Sequence, residues 1–329
     1  MKLLKFAYLG LGVALLVAVL WTFNFDEALT LVAQMGVLAF VAVCALAIVR
    51  TIGETVSWHM TLPSVPIAAG WLARLWRIRM VGEAFNRVLP AGNLGGEPMK
   101  VVLLKTRGQI DYGESVASLY LFNMIDLAGQ VIFVIGALAL IALSSALDPS
   151  YKIGIGIGVV ILVFMLAALV LLPRWRLSAR LGRFLGRRSW GPRIVDGLRH
   201  VEEIETQVLE FRRRHPRRFN WAIICSILYC VVGAVETYVT FWVLGNPISL
   251  ADAVMIEGVV LLVGSVTFFI PANIGSQEGA YVIFTAALTG MTTAGLGVAI
   301  VRRLREIVLL LLGFAIGGVY SRAAKAPPE

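Results

Sequence analysis

Five long apolar runs constrain the fold of this chain more than any other feature of its sequence. They cover residues 6–23, 31–49, 115–143, 153–172 and 221–244. A helix that crosses the hydrocarbon core of a bilayer needs about 20 predominantly apolar residues, and each run supplies enough of them. The chain is also only 15% charged, whereas about a quarter of the residues in soluble domains are charged. The sequence therefore predicts an all-α, polytopic membrane protein.

The first run resembles a signal peptide because Lys2 and Lys5 precede it. However, Asn24, Phe25 and Asp26 follow the run at the place where a cleavage site needs small residues. We therefore expect an uncleaved first span. The three cysteines all fall inside apolar segments, so we expect them to be packing residues and not members of a disulfide framework.

The basic residues are concentrated in one linker, which indicates membrane orientation and argues against a nucleic-acid partner. Thirteen of the 29 Lys and Arg residues lie within 173–218, and such residues favour cytoplasmic loops. We therefore expect a protein of the inner (cytoplasmic) membrane whose N-terminus and basic loop are cytoplasmic. Apolar residues between Ile194 and Phe211 recur every three or four positions, which predicts an amphipathic helix on the inner leaflet. Docking of a specific lipid or protein partner on this helix is the alternative.

Two short segments repeat one pattern. Residues 90–97 read PAGNLGGE and residues 271–278 read PANIGSQE, so each begins with Pro-Ala and ends in glutamate. Pro and Gly disfavour helix interiors and Asn often caps helices, so each segment should interrupt a helix. In lipid, a broken backbone is tolerated only where it is buried in protein or lines a wet cavity. We therefore predict two re-entrant helical hairpins, at about 68–107 and 251–290, whose tips meet near mid-membrane.

The hairpins divide a single membrane domain, 1–329, into two halves of opposite orientation. The predicted parts are a first span (1–30), a first repeat (31–172), the basic loop (173–218), a second repeat (219–322) and a tail (323–329). This gives about six spanning helices plus two re-entrant hairpins, arranged as an inverted repeat. Inverted repeats with broken helices around a midplane site recur in secondary transporters.

The last helix carries charge near its centre. No proline interrupts residues 292–320, which favours one long helix with Arg302, Arg303, Arg305 and Glu306 in the middle. These four residues alone leave an excess of two positive charges, and arginine forks bind phosphate or carboxylate in bidentate fashion. The alternative is a break into two short helices, with the charges at the cytoplasmic surface and the C-terminus outside. In the first repeat, the equivalent positions fall near Asn123 and Asp126.

The interrupted segments supply further candidate ligands for an anionic headgroup. A half-helix that begins after Gly95 or Gly275 presents free N–H groups and a partial positive charge. Alternatively, Asn93 and Asn273 cap these helix ends and the glycines only form the turns.

The intramembrane carboxylates have several possible roles. Glu97 and Glu278 could carry a proton or cation, pair with an arginine or stabilise their own helices, and Lys100 offers Glu97 a local ion pair. Other acids of the apolar runs could be buried hydrogen-bonding partners or transport residues, namely Asp126, Glu236 and Glu257.

No catalytic or metal-binding motif is evident in the sequence. It contains no zinc spacing, phosphate-binding loop, nucleophile elbow or dinucleotide fingerprint, and no serine or cysteine has an evident base partner. We therefore expect no enzymatic activity, no metal and no cofactor.

Three motifs resemble those of a known family. They are NRVLPAGNLGGEPMKVVLL, FFIPANIGSQEGA and AIVRRLREIV, and they are similar to the lysylphosphatidylglycerol synthase transmembrane-region family of flippase-like membrane proteins. The length and the basic loop also resemble the hopanoid-associated branch. The resemblance implies a lipid-translocating domain whose headgroup path includes Asn93, Gly95, Gly96, Glu97, Asn273, Gly275, Glu278 and Arg303. Family members that synthesise aminoacylated lipid carry a soluble transferase domain after the membrane part, and we expect that activity to be absent here.

Three hypotheses of function follow. The leading one is a flippase that moves a polar or anionic lipid headgroup by alternating access, with membrane lipid as its partner. The candidate substrate-binding residues then also include Asp126, Arg302 and Glu306. The alternatives are a membrane-embedded lipid-modifying transferase and a non-catalytic partner of lipid-synthesis enzymes.

Overall fold

The computed structural model describes residues 25–88, 95–144, 148–174 and 192–323, and these ranges are helical apart from short connections. The helices are α1 (Phe25–Gln34), α2 (Val37–Met60), α3 (Ala69–Val88), α4 (Glu97–Gly108), α5 (Tyr112–Leu143), α6 (Pro149–Arg174), α7 (Pro192–Arg214), α8 (Pro216–Val243), α9 (Leu250–Val266), α10 (Ser276–Thr289) and α11 (Thr292–Ala323). A 3₁₀ turn, Pro271–Asn273, lies between α9 and α10.

Four helices in the described ranges are long and apolar enough to cross a bilayer. They are Val37–Met60, Tyr112–Leu143, Pro149–Leu171 and Pro216–Val243. Helix α11 has 32 residues, which corresponds to a length of roughly 48 Å, but its central charges keep it out of this set. The predicted first span, 6–23, lies outside the described residues. The fold is that of an all-α, multi-pass membrane protein, as the sequence predicts.

The predicted span 31–49 is displaced toward the C-terminus, because a helix break divides the predicted segment and the spanning helix covers Val37–Met60. Helix α1 ends at Gln34, and α2 begins at Val37. Between them, Gly36 has φ +77°, a left-handed conformation that glycine adopts without steric cost. Helix α2 then continues to Met60, so that Arg50 and Glu54 lie inside a spanning helix and not in the loop after it.

A helical pair flanks each predicted interruption. In the first half α3 packs against α4, and in the second half α9 packs against α10. Residues 89–94 of the first break lie outside the described ranges. The second break is visible, and its 3₁₀ turn contacts α3 of the other half. The two helical pairs therefore meet, with the tip of the second pair against the first.

The helix packing in one half has a counterpart in the other. When α2, α3, α4 and α5 are matched with α8, α9, α10 and α11, the α3–α11 contact corresponds to the α9–α5 contact. Likewise, α2–α3 corresponds to α8–α9, α4–α5 to α10–α11, and α2–α11 to α8–α5. Helices α2 and α8, which correspond to each other, pack together extensively. The two halves thus use one packing scheme twice.

Helix α11 is continuous from Thr292 to Ala323, so the alternative of two short helices is wrong.

Helix α7 forms where the sequence predicts an amphipathic helix, and its apolar side chains Val208 and Phe211 are buried against Ala117 and Leu121 of α5. This face of α7 therefore packs on protein, whereas the sequence predicted that the helix lies on the inner leaflet.

Candidate functional site

A cavity of about 310 Å³ lies where the two helical pairs, α2, α5 and α11 converge. Its wall contains the side chains of six cations and five carboxylates, together with amide groups at the second break. The charged wall residues are Arg50, Glu54, Arg79, Glu83, Arg87, Glu97, Lys100, Asp126, Arg302, Arg305 and Glu306. A cavity of this composition binds polar or ionic groups.

The three arginines of α11 are each paired with a glutamate. Arg302 Nη1 lies 3.1 Å from Glu257 Oε2. The Arg303 guanidinium donates to Glu278, and that of Arg305 donates to Glu236. These glutamates lie on α10, α9 and α8, so they neutralise the excess of two positive charges that α11 alone would carry. The predicted excess of two positive charges on α11 is therefore balanced by glutamates of other helices in the assembled cluster.

Glu306 joins α11 to α3 and completes the centre of this network. Its Oε2 accepts from Arg303 at 2.8 Å and lies 2.9 Å from Arg87 Nη1. Because Arg302, Arg303 and Glu306 share one segment of α11, the spacing in the sequence correctly indicates that Glu306 pairs within the helix. It does not reveal the contact with Arg87 on another helix.

Arg303 also stabilises the backbone of the second break. Its Nη1 donates to Ala272 O at 3.0 Å, and its Nη2 donates to Asn273 O at 3.3 Å. Ala272 and Asn273 have φ of +52° and +50°, a conformation that is uncommon for residues other than glycine. The guanidinium thus donates to the Ala272 carbonyl and shares the Asn273 carbonyl with Ser276 Oγ, which donates to it at 3.0 Å.

The N-terminus of α10 is capped by Glu278 and not by Asn273. Glu278 Oε2 accepts from Gly275 N at 2.8 Å, and the helix cap is Gly275, with φ +82°. The Asn273 side chain instead accepts from Thr267 Oγ1 at 3.4 Å. Glu278 therefore both stabilises its own helix and pairs with Arg303, two of the three roles considered from the sequence.

The first helical pair is closed in a similar way. Lys100 is only 2% exposed, and its Nζ lies 2.8 Å from both Glu83 Oε1 and Glu97 Oε1. The expected local ion pair of Glu97 is therefore present. The Gly96 N–H donates to Asn86 Oδ1 at 2.5 Å, so this helix start is also satisfied internally. Gly95 adjoins it in the turn, and Asn93 lies outside the described residues.

Close packing of α3 and α4 requires glycine at two positions. A Cβ on Gly96 would lie 1.9 Å from Gly82 O, and a Cβ on Gly82 would lie 2.4 Å from Lys100 Cγ. The glycines therefore let the two helices approach, so that the Lys100 stem lies over Gly82 and its ammonium group reaches the cavity. Close packing against Gly82 is therefore sufficient to explain why position 96 is a glycine.

Asp126 differs from the other acids of the cavity. Its Oδ2 accepts from Gln130 Nε2 at 3.0 Å, but it forms no ion pair with any residue in the described part of the chain. Every other carboxylate of the network pairs with arginine or lysine.

Comparison with protein families identifies the chain. The profile described as "Lysylphosphatidylglycerol synthase TM region" matches residues 6–313, nearly the whole sequence. The chain belongs to the lysylphosphatidylglycerol synthase transmembrane-region family. Comparison with curated proteins and with solved structures gives no match. Membership of this family, together with the spanning helices, makes the chain a multi-pass membrane protein involved in lipid handling.

The family motifs converge around one cavity. Glu97 and Asn273 line its wall together with Arg302 and Glu306, and Arg303 connects Glu306 to Glu278 behind the wall. The motifs of this family member are therefore adjacent in space although more than 200 residues separate the first from the last.

Several important residues of this family member were missed from the sequence. Arg50 and Glu54 follow the end of an apolar run, and Arg79 resembles a charge flanking a membrane span, yet all three line the cavity. Extending the predicted helix beyond Val49 to the observed end of α2 at Met60 would have placed Arg50 and Glu54 inside the spanning helix. Among the described residues, no group of three His, Cys, Asp or Glu could hold a metal ion.

Proposed function

We propose that this protein is a lipid transporter, a flippase that moves a polar or anionic lipid headgroup across the cytoplasmic membrane by alternating access. The observation that carries the proposal is the ionic cavity enclosed between the two helical pairs. An ionisable side chain at the bilayer centre costs about 3 kcal/mol on insertion scales, so such residues are usually functional. A cluster of seven cations and eight carboxylates needs a reason to be retained in lipid.

The size and hydrogen-bonding capacity of the cavity support a headgroup as its guest. Its volume of about 310 Å³ reaches the lower end of the range for small-molecule pockets, roughly 300–1,000 Å³. Arg79 lines the cavity, is 7% exposed, and has no acceptor within the described ranges for its Nε and Nη1 groups. The Nε groups of Arg302 and Arg305 also lack acceptors there. Buried donors without partners are costly, so a movement of these side chains that exposes the donors to acceptor oxygens of a headgroup or of water would stabilise this wall.

An apolar groove next to the cavity supports a lipid over a soluble solute. The groove, of about 770 Å³, lies between α3, α4 and α11, and its wall includes Val81, Phe85, Leu103 and Phe314. Helices α3 and α11 form both the groove and the cavity, so a headgroup in the cavity could leave its tails in the groove. A water-soluble substrate would have no use for such a surface.

The duplicated packing scheme supports alternating access. If the halves are inverted relative to each other, each pairing used on one side of the membrane is available on the other. Exchange between two such arrangements would open the cavity alternately to each leaflet. The basic residues of 173–218 support a cytoplasmic position for this loop and for the N-terminus under the positive-inside rule.

Reconstitution with headgroup-labelled lipids tests the proposal. Liposomes carry the label in one leaflet, and a membrane-impermeant quencher reports the rate at which label crosses. Wild-type protein should accelerate crossing, whereas Arg303→Ala and Glu278→Gln should slow it severalfold, because both lose the contact that stabilises the second break. Arg77→Ala is the matched control, because Arg77 is an exposed residue of α3 and its loss should leave the rate unchanged.

The same samples separate the alternative functions. A lipid-modifying transferase would change the mass of the lipids, which mass spectrometry of the extracted liposomes detects. A non-catalytic partner of lipid-synthesis enzymes would change neither mass nor leaflet distribution. If wild-type protein leaves the label in its original leaflet under all lipid compositions, the transport proposal is overturned.

A further inference from the structure

We propose that Asp126 is a proton-binding site and that its protonation is transmitted to the second helical pair through Gln130 and Ser265. The inference deepens the proposed function, on which its role in transport rests, because it makes the proton the coupling ion.

Asp126 lacks a counterion among the described residues. Of the eight carboxylates in the network, seven pair with Arg or Lys, and Asp126 alone has no ion pair within the described ranges. It lines the cavity and is only partly buried, so water in the cavity can reach it. An ionised carboxylate that is removed from bulk water and lacks a partner is unfavourable, and protonation relieves that cost.

The arginines near Asp126 are already paired with other carboxylates. Glu54 of α2 adds negative charge, while Arg50 of α2 and Arg79 of α3 add positive charge. However, Arg50 lies 3.1 Å from Glu257, and Arg79 lies 2.8 Å from Glu54 and 3.8 Å from Glu83, so both arginines already have counterions.

Among the described residues, the remaining elements around Asp126 supply no free cation. Helix α4 contributes Glu97 and Lys100, which are paired with each other, and α11 contributes Arg302, Arg305 and Glu306 across the cavity, all of them paired. From α8, the neighbouring titratable group is the Cys230 thiol. Asp126 therefore faces a field in which the nearby positive charges are already neutralised.

Hydrogen bonds connect Asp126 to the end of α9, next to the second break. Gln130 Nε2 donates to Asp126 Oδ2 at 3.0 Å, and Ser265 Oγ donates to Gln130 Oε1 at 2.8 Å. Ser265 lies in the last turn of α9, two residues before Thr267. Thr267 Oγ1 in turn lies 3.0 Å from Ser276 Oγ on α10. Protonation of Asp126 weakens the hydrogen bond that it accepts from Gln130. The change is transmitted through Ser265 to Thr267 on one side of the break and to Ser276 on the other.

Infrared spectroscopy tests the protonation site without reference to transport. Purified protein in detergent is titrated with acid while the carbonyl stretch of protonated carboxyl groups is recorded. The other carboxyl groups titrate in all three proteins, so Asp126→Asn should lack one reversibly titrating component of the band that wild type and the control Asp148→Asn share. Asp148 is an exposed residue immediately before α6. An identical titrating band in wild type and Asp126→Asn overturns the assignment.

A pH gradient across liposomes tests the coupling. One proton per lipid, moving down one pH unit, supports at most about a tenfold ratio of lipid between leaflets, since one pH unit equals 1.36 kcal/mol. Wild type and Asp148→Asn should build a ratio that follows the gradient, and Asp126→Asn should equilibrate the label evenly. If wild type moves lipid but ignores the gradient, proton coupling is overturned while the flippase proposal stands. If wild type moves no lipid, the flippase proposal and the coupling role both fall, and the infrared titration still decides whether Asp126 binds the proton.

Discussion

Replacing Arg305 by alanine should destabilise the protein by about 3–5 kcal/mol, because it leaves a buried carboxylate without its counterion. Arg305 of α11 donates to Glu236 of α8, and the two side chains are only 5% and 7% exposed. The second oxygen of Glu236 has no other partner within the described ranges. Once the guanidinium is removed, no hydrogen bond or ion pair among the described residues compensates the charge, and Arg50 and Arg302 attract Glu236 only at longer range.

Two further variants separate the lone charge from the loss of packing. Arg305→Met combined with Glu236→Leu removes both charges and keeps apolar volume, so its stability should lie close to that of wild type. Arg214→Ala is the exposed control, since Arg214 and Glu210 form an ion pair within α7 with side chains 70% and 43% exposed. Such pairs contribute about 0.3–0.5 kcal/mol.

Reversible unfolding in mixed detergent micelles gives the free energies for this comparison. The ranking we expect is a large loss for Arg305→Ala, a small loss for Arg214→Ala and near-native stability for the double variant. A loss below about 1 kcal/mol for Arg305→Ala would mean that water or another cation reaches Glu236. A double variant as unstable as the single one would show that packing, and not the unpaired charge, dominates.

Two other predictions concern helix packing. Gly96→Ala should separate α3 from α4 and reduce thermal stability and lipid movement, because its Cβ would lie 1.9 Å from Gly82 O. Gly136→Ala, whose Cβ meets nothing within 4 Å, should keep both, and equal behaviour of the two variants would contradict the packing argument. Phe211→Ala should loosen α7 from α5 at a cost of about 3–5 kcal/mol for a buried phenylalanine. Faster limited proteolysis within 192–214, with the membrane helices intact, is the expected result, and an unchanged cleavage rate would refute it.

Local sequence signals predicted the helices and their interruptions well. Proline, glycine and asparagine act on the backbone within a few residues, so the second break falls at Pro271, where the pattern places it. The absence of such residues likewise predicted an unbroken α11. The break at Gly36 was missed because a single glycine inside an apolar run is common in membrane helices and carries little information by itself.

The ion pairs could not be predicted, because they depend on which helices touch. Arg305 and Glu236 are 69 positions apart, and Arg50 and Glu257 are 207 apart. Composition shows that acids and bases enter the membrane, but it does not show their partners. The sequence therefore did not reveal that glutamates of other helices balance the charge excess of α11, whereas pairing within one helix, as between Arg303 and Glu306, was accessible from spacing.

The double engagement of Glu278 has a consequence for selectivity. This carboxylate holds both the Gly275 N–H and the Arg303 guanidinium, so it occupies the donors that a phosphate would seek. An anion that binds here must displace the Glu278 carboxylate. Its net affinity is therefore only the difference between the hydrogen bonds that it gains and those that Glu278 loses. Such competition favours modest affinity and rapid release, and it rejects anions that bind arginine no better than a carboxylate does.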